Sequence, residues 1–267
     1  MQKEWVYHNQ ETGVYFILEY SPQPKDEHET IIPPEYNDIG LSFNINYNRP
    51  KFFADESMPV VASMCNDLDL LVIDPQDHEI GGDSSPKYAN AKDLIESWTN
   101  SNKMALSIYK QQGALPPYLP RKEAESWWNY HYHRKIIQSD IGESIFVPNI
   151  FLLHKPEDKR VITTITWTDS IPIIFPDCDK VLIIHMETKG FLRKKNETVV
   201  KGIIDSEIIR EKFKDFIKVT DTVIGPMQVI NPSEEKSIRN LFFQLTGNLE
   251  EFDYEGIGPD SIIDEKI

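Results

Sequence analysis

The chain has 267 residues, 40% of them hydrophobic, and two cysteines, Cys65 and Cys178. This is enough for a hydrophobic core without covalent staples, and the distant cysteines exclude a disulfide framework or a CxxC zinc site. No apolar run approaches the roughly 20 residues of a membrane helix, and the N-terminus lacks a secretory pattern, so we expect a cytoplasmic protein that contacts no membrane.

The net charge of −15 is unevenly distributed along the sequence. Residues 1–100 carry 18 acidic and 6 basic side chains, residues 101–249 carry 18 and 21, and the last 18 residues carry 7 acids and one lysine. This acid excess argues against direct nucleic-acid binding and favours a basic protein partner. The alternative is that an acidic surface only keeps the protein dissolved.

The first 75 residues alternate between strand and helix patterns. Gly13 to Tyr20 is rich in β-branched and aromatic residues, and Ile39 to Tyr47 alternates apolar and polar residues, so both predict strands. Phe52 to Leu68 predicts a helix with Pro59 near its first turns, followed by a short strand that ends before Pro75. This order of strand, helix and strand predicts one α/β unit.

The middle of the chain predicts a loop, two helices and several strands. Asp77 to Tyr88 has the glycine, serine and proline content of an exposed loop. Helices are predicted over about residues 90–111 and 120–139, with a proline-rich link between them. The polar sequence K-P-E-D-K between two β-rich runs predicts a hairpin.

The last third predicts a helix capped by Asp205 or Ser206, another helix over about residues 233–246, and an acidic tail that is mobile or ordered by a partner. The predicted fold class is α+β, with a mixed or antiparallel sheet packed against helices. We predict a main domain over residues 1–189. Residues 190–267 form either an extension or a small α/β subdomain.

Motifs of common enzyme families are missing from the sequence. It contains no GxxxxGK[ST] phosphate loop, no GxGxxG and no GxSxG nucleophile elbow. His78-Glu79 begins like a zinc-protease motif, but a glycine stands where the second histidine is required. We therefore predict no catalytic residue, no metal and no cofactor.

The stretch A-E-S-W-W-N-Y-H-Y-H-R, residues 124–134, concentrates two tryptophans, two tyrosines and two histidines. On a helix His131 and His133 point about 200° apart, so they cannot share one metal ion. We interpret the stretch as a packing helix sandwiched between layers, with a buried histidine that has a hydrogen-bond partner.

The sequence P-D-C-D-K, residues 176–180, places acids beside a lysine as restriction-type nucleases do. It lacks the second acid and lysine on a following strand, so a turn that enters a strand is the better interpretation. An enzyme of unfamiliar type that uses His131, His133 or Asp177 in a pocket is an alternative hypothesis.

Six short blocks follow one another over about residues 40–185: G-L-S-F-N-I-N-Y-N-R-P-K-F-F-A-D-E, L-L-V-I-D-P-Q, I-E-S-W-T-N-S-N, W-W-N-Y, F-V-P-N-I-F-L-L and T-W-T-D-S-I-P-I-I-F-P. In this order they resemble immunity protein family fifty-two of bacterial polymorphic-toxin systems, whose partners include toxins with restriction-endonuclease-like nuclease domains. Residues 190–267 have no counterpart in the resemblance.

The resemblance implies a cytoplasmic, non-enzymatic inhibitor that binds a cognate toxin and blocks its active site. A nuclease toxin presents a basic cleft, which an acidic face can occupy. The predicted partner-binding residues are the acids of two loops: Asp26, Glu27, Glu29, Asp77, Glu79 and Asp83. A structural or chaperone-like partner in a secretion apparatus is a further alternative, and the oligomeric state is left open.

Overall fold

The computed structural model of the chain describes residues 3–22, 32–75, 85–189, 196–232 and 236–265. The chain forms two compact units, one of Met1–Glu125 with Gly258–Ile267 and the other of Ser126–Ile257. The domain division predicted at residue 190 falls inside the second unit. Within the described ranges, no helix is both long and apolar enough to cross a membrane.

Helices and mainly antiparallel strands build the described parts of both units, which confirms the predicted α+β class. The strands are β1 (Lys3–His8), β2 (Tyr15–Tyr20), β3 (Leu41–Asn44), β4 (Leu71–Val72), β5 (Lys87–Tyr88), β6 (Phe151–His154), β7 (Ile162–Thr168), β8 (Ile173–Phe175), β9 (Lys180–Lys189), β10 (Asn196–Asp205), β11 (Lys218–Thr222), β12 (Gly225–Ile230) and β13 (Glu255–Gly256). The helices are α1 (Phe52–Asp67), α2 (Ala91–Gln111), α3 (Arg121–Ile141), α4 (Ser206–Phe213) and α5 (Lys236–Leu245).

In the first unit, β1, β2 and β3 form an antiparallel sheet in that order. β1 pairs with β2 along its whole length, and the Tyr7 ring stacks on Phe16 with centroids 4.7 Å apart. The hydroxyl of Tyr7 and the amide of Asn9 both donate to Oε1 of Glu56 in α1, at 3.0 and 2.8 Å. The sheet and α1 are thereby joined around a buried carboxylate.

The core of the first unit lies where α1, α2 and the β4–β5 pair meet. The predicted α1 and α2 are both confirmed, although Pro59 lies inside α1 because the helix begins at Phe52. The residues of this core are Ala54, Met58, Val61, Ala62, Cys65, Ala89, Leu94 and Trp98. Phe43 of the three-stranded sheet packs against the same cluster.

The predicted α/β unit is wrong. β3 pairs with β2, whereas β4 pairs with β5 in a separate two-stranded sheet. The strand after the helix is only two residues long, and it pairs with the segment that follows it in the chain. A local hairpin thus replaces the expected crossover back to β3.

α1 ends in a Schellman motif. The N–H of Leu70 donates to the carbonyl of Cys65 at 2.8 Å, and the N–H of Asp69 donates to Asn66 at 3.3 Å. Asp69 has φ of 52°, the left-handed conformation that this motif requires and that Asp tolerates better than most residues. The motif turns the chain directly from α1 into β4.

The acidic tail, expected to be mobile or ordered by a partner, belongs to the folded units as far as Glu265, the last residue that the structure describes. In the first unit, Ile262 and Ile263 are fully buried, and Asp264 pairs with Arg121 at 3.1 Å. In the second unit, β13 pairs with β6. Two adjacent apolar side chains supply the burial that a purely acidic tail would lack.

The second unit contains two sheets. The larger has the order β10-β9-β7-β6-β13, in which β7 and β9 are parallel and the other pairs antiparallel, and the smaller has the order β11-β12-β8. The predicted hairpin around residues 155–159 is confirmed as β6–β7. Trp167 of β7 is fully buried, edge-on to Phe175, Phe213 and Phe242, and its indole N–H donates to the carbonyl of Ile171 at 2.9 Å.

We predict that Trp167→Ala lowers the free energy of unfolding by about 3–5 kcal/mol, because it leaves a cavity among three phenylalanine rings. Chemical denaturation of the full chain measures this change. Substitution of the exposed Val219 by Ala is the control and is expected to change stability by less than about 0.5 kcal/mol. Equal effects of the two substitutions would contradict the central position of Trp167.

Candidate partner-binding surface

The six acids predicted as contacts, Asp26, Glu27, Glu29, Asp77, Glu79 and Asp83, lie outside the described residues. In the sequence, the first three fall between β2 and β3, and the last three fall between β4 and β5. The described elements that flank these two segments in the sequence belong to the first unit. The first unit therefore contains the sequence neighbours of both acidic segments.

α1 presents an incompletely covered face. Glu56, Val60 and Met64 follow one another at helical spacing, so they lie along the same side of the helix. Glu56 is buried beneath β1, but Val60 is 45% exposed and Leu68, just after the last turn, is 60% exposed. The sheet covers the beginning of this side and leaves its continuation open.

We call this open region the α1 outer stripe. It forms a shallow depression with an apolar floor and one carboxylate at its margin. Its residues are Pro59, Val60, Ser63, Met64, Asp67 and Leu68. Exposed apolar side chains grouped on one helix side are a common feature of protein interaction sites, whereas single ones are ordinary.

The β4–β5 pair adds a second exposed apolar group to the first unit. Leu70, Val72 and Ala89 belong to the core cluster or pack against it, so the alternating residues Leu71 and Tyr88 face away from it. Leu71 and Tyr88 are directly opposite each other in the pairing, and Tyr88 is 69% exposed. A large exposed aromatic side chain is the residue type that most often anchors a protein interface.

The charge of the molecule is concentrated in the unit that carries these side chains. The first unit has 23 acidic and 11 basic residues, a net charge of −12, whereas the second has 20 and 17, a net charge of −3. An apolar stripe on a strongly acidic unit suits a partner with an apolar patch surrounded by basic side chains.

The histidines considered for catalysis have structural partners. α3 is confirmed as a helix, and the buried His131 stacks on Trp127 and has Nε2 3.0 Å from the carbonyl oxygen of Ile150. His133 has Nδ1 2.9 Å from the carbonyl oxygen of Asn129, one turn earlier. α3 is not sandwiched on all sides as expected, because its residues Tyr132 and Ile136 are exposed.

The P-D-C-D-K segment forms the turn that leads into β9. Asp177 pairs with Arg210 at 2.9 Å, and Asp179 Oδ2 accepts hydrogen bonds from the N–H and hydroxyl of Thr163 at 2.7 and 2.8 Å. Lys180 pairs with Asp205 and Glu250 at 2.8 and 3.0 Å. Each charged residue of the segment therefore binds a side chain or backbone group of another part of the second unit. Such contacts are expected for a turn that leads into a strand.

The two cysteines are free thiols. Burial raises the pKa of Cys65 and raises the pKa of Cys178 to about 12, so both remain protonated and weakly nucleophilic at neutral pH. Among the described residues, His, Cys, Asp and Glu form no group of three suited to a metal ion.

Comparison of the chain with protein-family models, with curated proteins and with solved structures finds no match.

Sequence reasoning did not identify the α1 outer stripe, Tyr88 or the exposed residues of β1. A helix pattern shows which residues share a side, but not where a neighbouring sheet ends. Val60, Met64 and Leu68 recur every four residues, which is the one sequence signal of an apolar row that extends beyond the core-facing side of α1; Met64 also packs against the core cluster.

We predict that neither cysteine of the native chain reacts appreciably with a thiol reagent at pH 8, because the raised pKa of each thiol leaves little thiolate. Both should react at once in denaturant, where burial is lost. A spectrophotometric thiol titration makes the measurement. A thiol that reacts rapidly in the native chain would contradict the prediction that both cysteines stay protonated. It would also favour a nucleophilic role for that cysteine.

Proposed function

We propose that this chain is an immunity protein, which binds a cognate toxin in the bacterial cytoplasm and blocks its active site without turning over a substrate. The resemblance of its sequence blocks to immunity protein family fifty-two supports the proposal, and it makes a basic nuclease the expected toxin. The free cysteines are compatible with a reducing compartment.

The observation that carries the proposal is the α1 outer stripe on a unit of net charge −12. Desolvation of apolar anchors such as Val60 and Leu68 supplies binding free energy, because their side chains leave water on contact. The surrounding acids attract a basic cleft and increase the rate of encounter.

The acids predicted from the sequence fit the same proposal. Asp77, Glu79 and Asp83 belong to the segment that joins β4 to β5, the strands that carry Leu71 and Tyr88. The acidic segment is joined at one end to β4 and at the other end to β5. A toxin that covers Leu71 and Tyr88 therefore contacts both strands from which this segment starts and ends. We therefore propose that these acids contribute to the charged margin of the interface.

We predict that the full chain suppresses the toxicity of the toxin encoded beside it when the two are co-expressed. The double substitution Val60→Ser and Leu68→Ser should weaken toxin binding at least tenfold, because two anchors worth about 1–2 kcal/mol each are lost. Isothermal titration measures the affinity, and growth of the co-expressing strain measures protection.

The matched control is Val219→Ser with Val223→Ser, two exposed valines of the second unit. This pair removes similar apolar area from the unit of lower charge and should leave affinity unchanged within about twofold. A neighbouring gene product that is harmless alone, or that kills equally with this chain present, would refute the immunity function. Equal weakening by both double variants would refute the assigned surface.

A separate prediction concerns salt. If the acidic unit steers a basic toxin, the association rate should fall steeply as ionic strength rises, whereas the dissociation rate should change little. Stopped-flow measurements across a salt series separate the two rates. An association rate independent of salt would exclude electrostatic steering, even if the α1 outer stripe binds the toxin.

A further inference from the structure

We propose that a β-strand of the basic partner pairs with the open edge of β1. This inference rests on the proposed function, because it specifies how the toxin meets the first unit. Among the strands in the described part of the chain, β1 is at the edge of its sheet and pairs with β2 alone. Such an edge is a template for a strand from another chain.

The hydrogen-bonding phase of the sheet identifies which groups face the open edge. The N–H of Asn9 donates to the carbonyl of Val14 at 2.9 Å, and residues that bond to the same neighbour recur at every second position of a strand. Asn9, Tyr7 and Trp5 therefore direct their backbone groups to β2. Glu4, Val6 and His8 direct theirs outward.

The other side of β2 confirms this phase. The N–H of Ser21 donates to the carbonyl of Gly40 at 2.7 Å, next to the β2–β3 pairing. Odd-numbered residues of β2 therefore bond to β3, which leaves Phe16 and Leu18 to bond to β1. Both observations give β1 an outward-facing row of three N–H and three C=O groups.

Side chains on both faces of β1 fit an added strand. Trp5 is 51% exposed and Val6 is 59% exposed, and successive residues of a strand point to opposite faces. A strand paired to this edge would cover Trp5 on one face and Val6 on the other. The six residues of β1 therefore offer apolar cover as well as backbone hydrogen bonds.

A like-charge pair specifies the chemistry of the occupant. Glu4 of β1 lies directly opposite Glu19 of β2, and the next residue in this row, on β3, is the neutral Ser42. Two carboxylates directly across a strand pair repel each other. A lysine or arginine placed opposite Glu4 by an added strand relieves this repulsion, and the next residue of that strand, an apolar one, meets Trp5 on the other face.

The charge of the first unit distinguishes a basic partner from a second copy of this chain. Pairing two β1 edges would bring together two units of net charge −12 each. A strand that alternates basic and apolar residues meets the same edge with attraction. We therefore assign the edge to a strand of a basic protein.

The test uses the full chain and a fluorescent eight-residue peptide that alternates lysine and valine. A second peptide carries N-methyl groups on alternate amides. These groups remove the N–H donors along one edge of the peptide strand and leave its charge unchanged. Fluorescence anisotropy measures affinity. We expect the wild-type chain to bind the first peptide at least about tenfold more tightly than its methylated twin, since several hydrogen bonds are lost.

Val6→Pro provides the matching change in the protein. It removes an outward N–H and is compatible with an edge position, whereas Val6→Thr keeps the N–H and a β-branched side chain. We expect about a tenfold loss of peptide affinity for Val6→Pro and less than about a twofold change for Val6→Thr. Thermal unfolding of both variants checks that the sheet is intact.

Equal affinity of wild-type chain for the two peptides, or of the two variants for the first peptide, would overturn the proposal. A wild-type dimer that Val6→Pro dissociates, measured by light scattering without peptide, would assign the edge to a second copy and also overturn it. The peptide results do not depend on the neighbouring toxin. A chain that binds the peptide but not that toxin would refute the immunity function alone.

Discussion

The contact on which the first unit depends is the buried carboxylate of Glu56. Burial of a carboxylate is costly unless hydrogen bonds satisfy it, and Tyr7 and Asn9 donate two to a single oxygen. These bonds hold β1 against the beginning of α1. One turn further along α1, Val60 is exposed.

The exposed apolar groups of the first unit follow from that arrangement. The inner side of α1 packs into the core with Trp98, so Val60 and Leu68 on its other side have no sheet to cover them. The Schellman motif at Asp69 then turns the chain at once into the β4–β5 pair. Exposed apolar side chains and a net charge of −12 are thus combined in one unit.

Much of the secondary structure was predictable because its signals are local. α2 has a capping asparagine at residue 90, and α3 begins after Pro120, where a missing N–H carries no cost. The expected α/β unit failed because strand pairing is not local: a two-residue β4 pairs with β5 rather than with β3. β1 was missed because Lys3 to His8 has no alternating polar side, and its strand character depends on pairing with β2.

The candidate site was less predictable than the fold. The distribution of charges in the sequence located the excess of acidic residues in the first hundred residues. The first unit, which contains those residues, has the same net charge of −12. The exposure of Val60, Leu68 and Tyr88 depends on the ends of neighbouring elements, which no residue pattern records. For the histidines, the predicted helix is confirmed as α3, and the structure supplies the partners of His131 and His133.

The most direct test of the proposed function is hydroxyl-radical footprinting of the full chain with and without its proposed toxin partner. Oxidation of exposed aromatic and sulfur side chains reports which of them the toxin covers. The account predicts that Trp5, Met64 and Tyr88 of the first unit become protected, whereas Met186 and Phe146 of the second remain reactive. Protection confined to Met186 and Phe146 would contradict it.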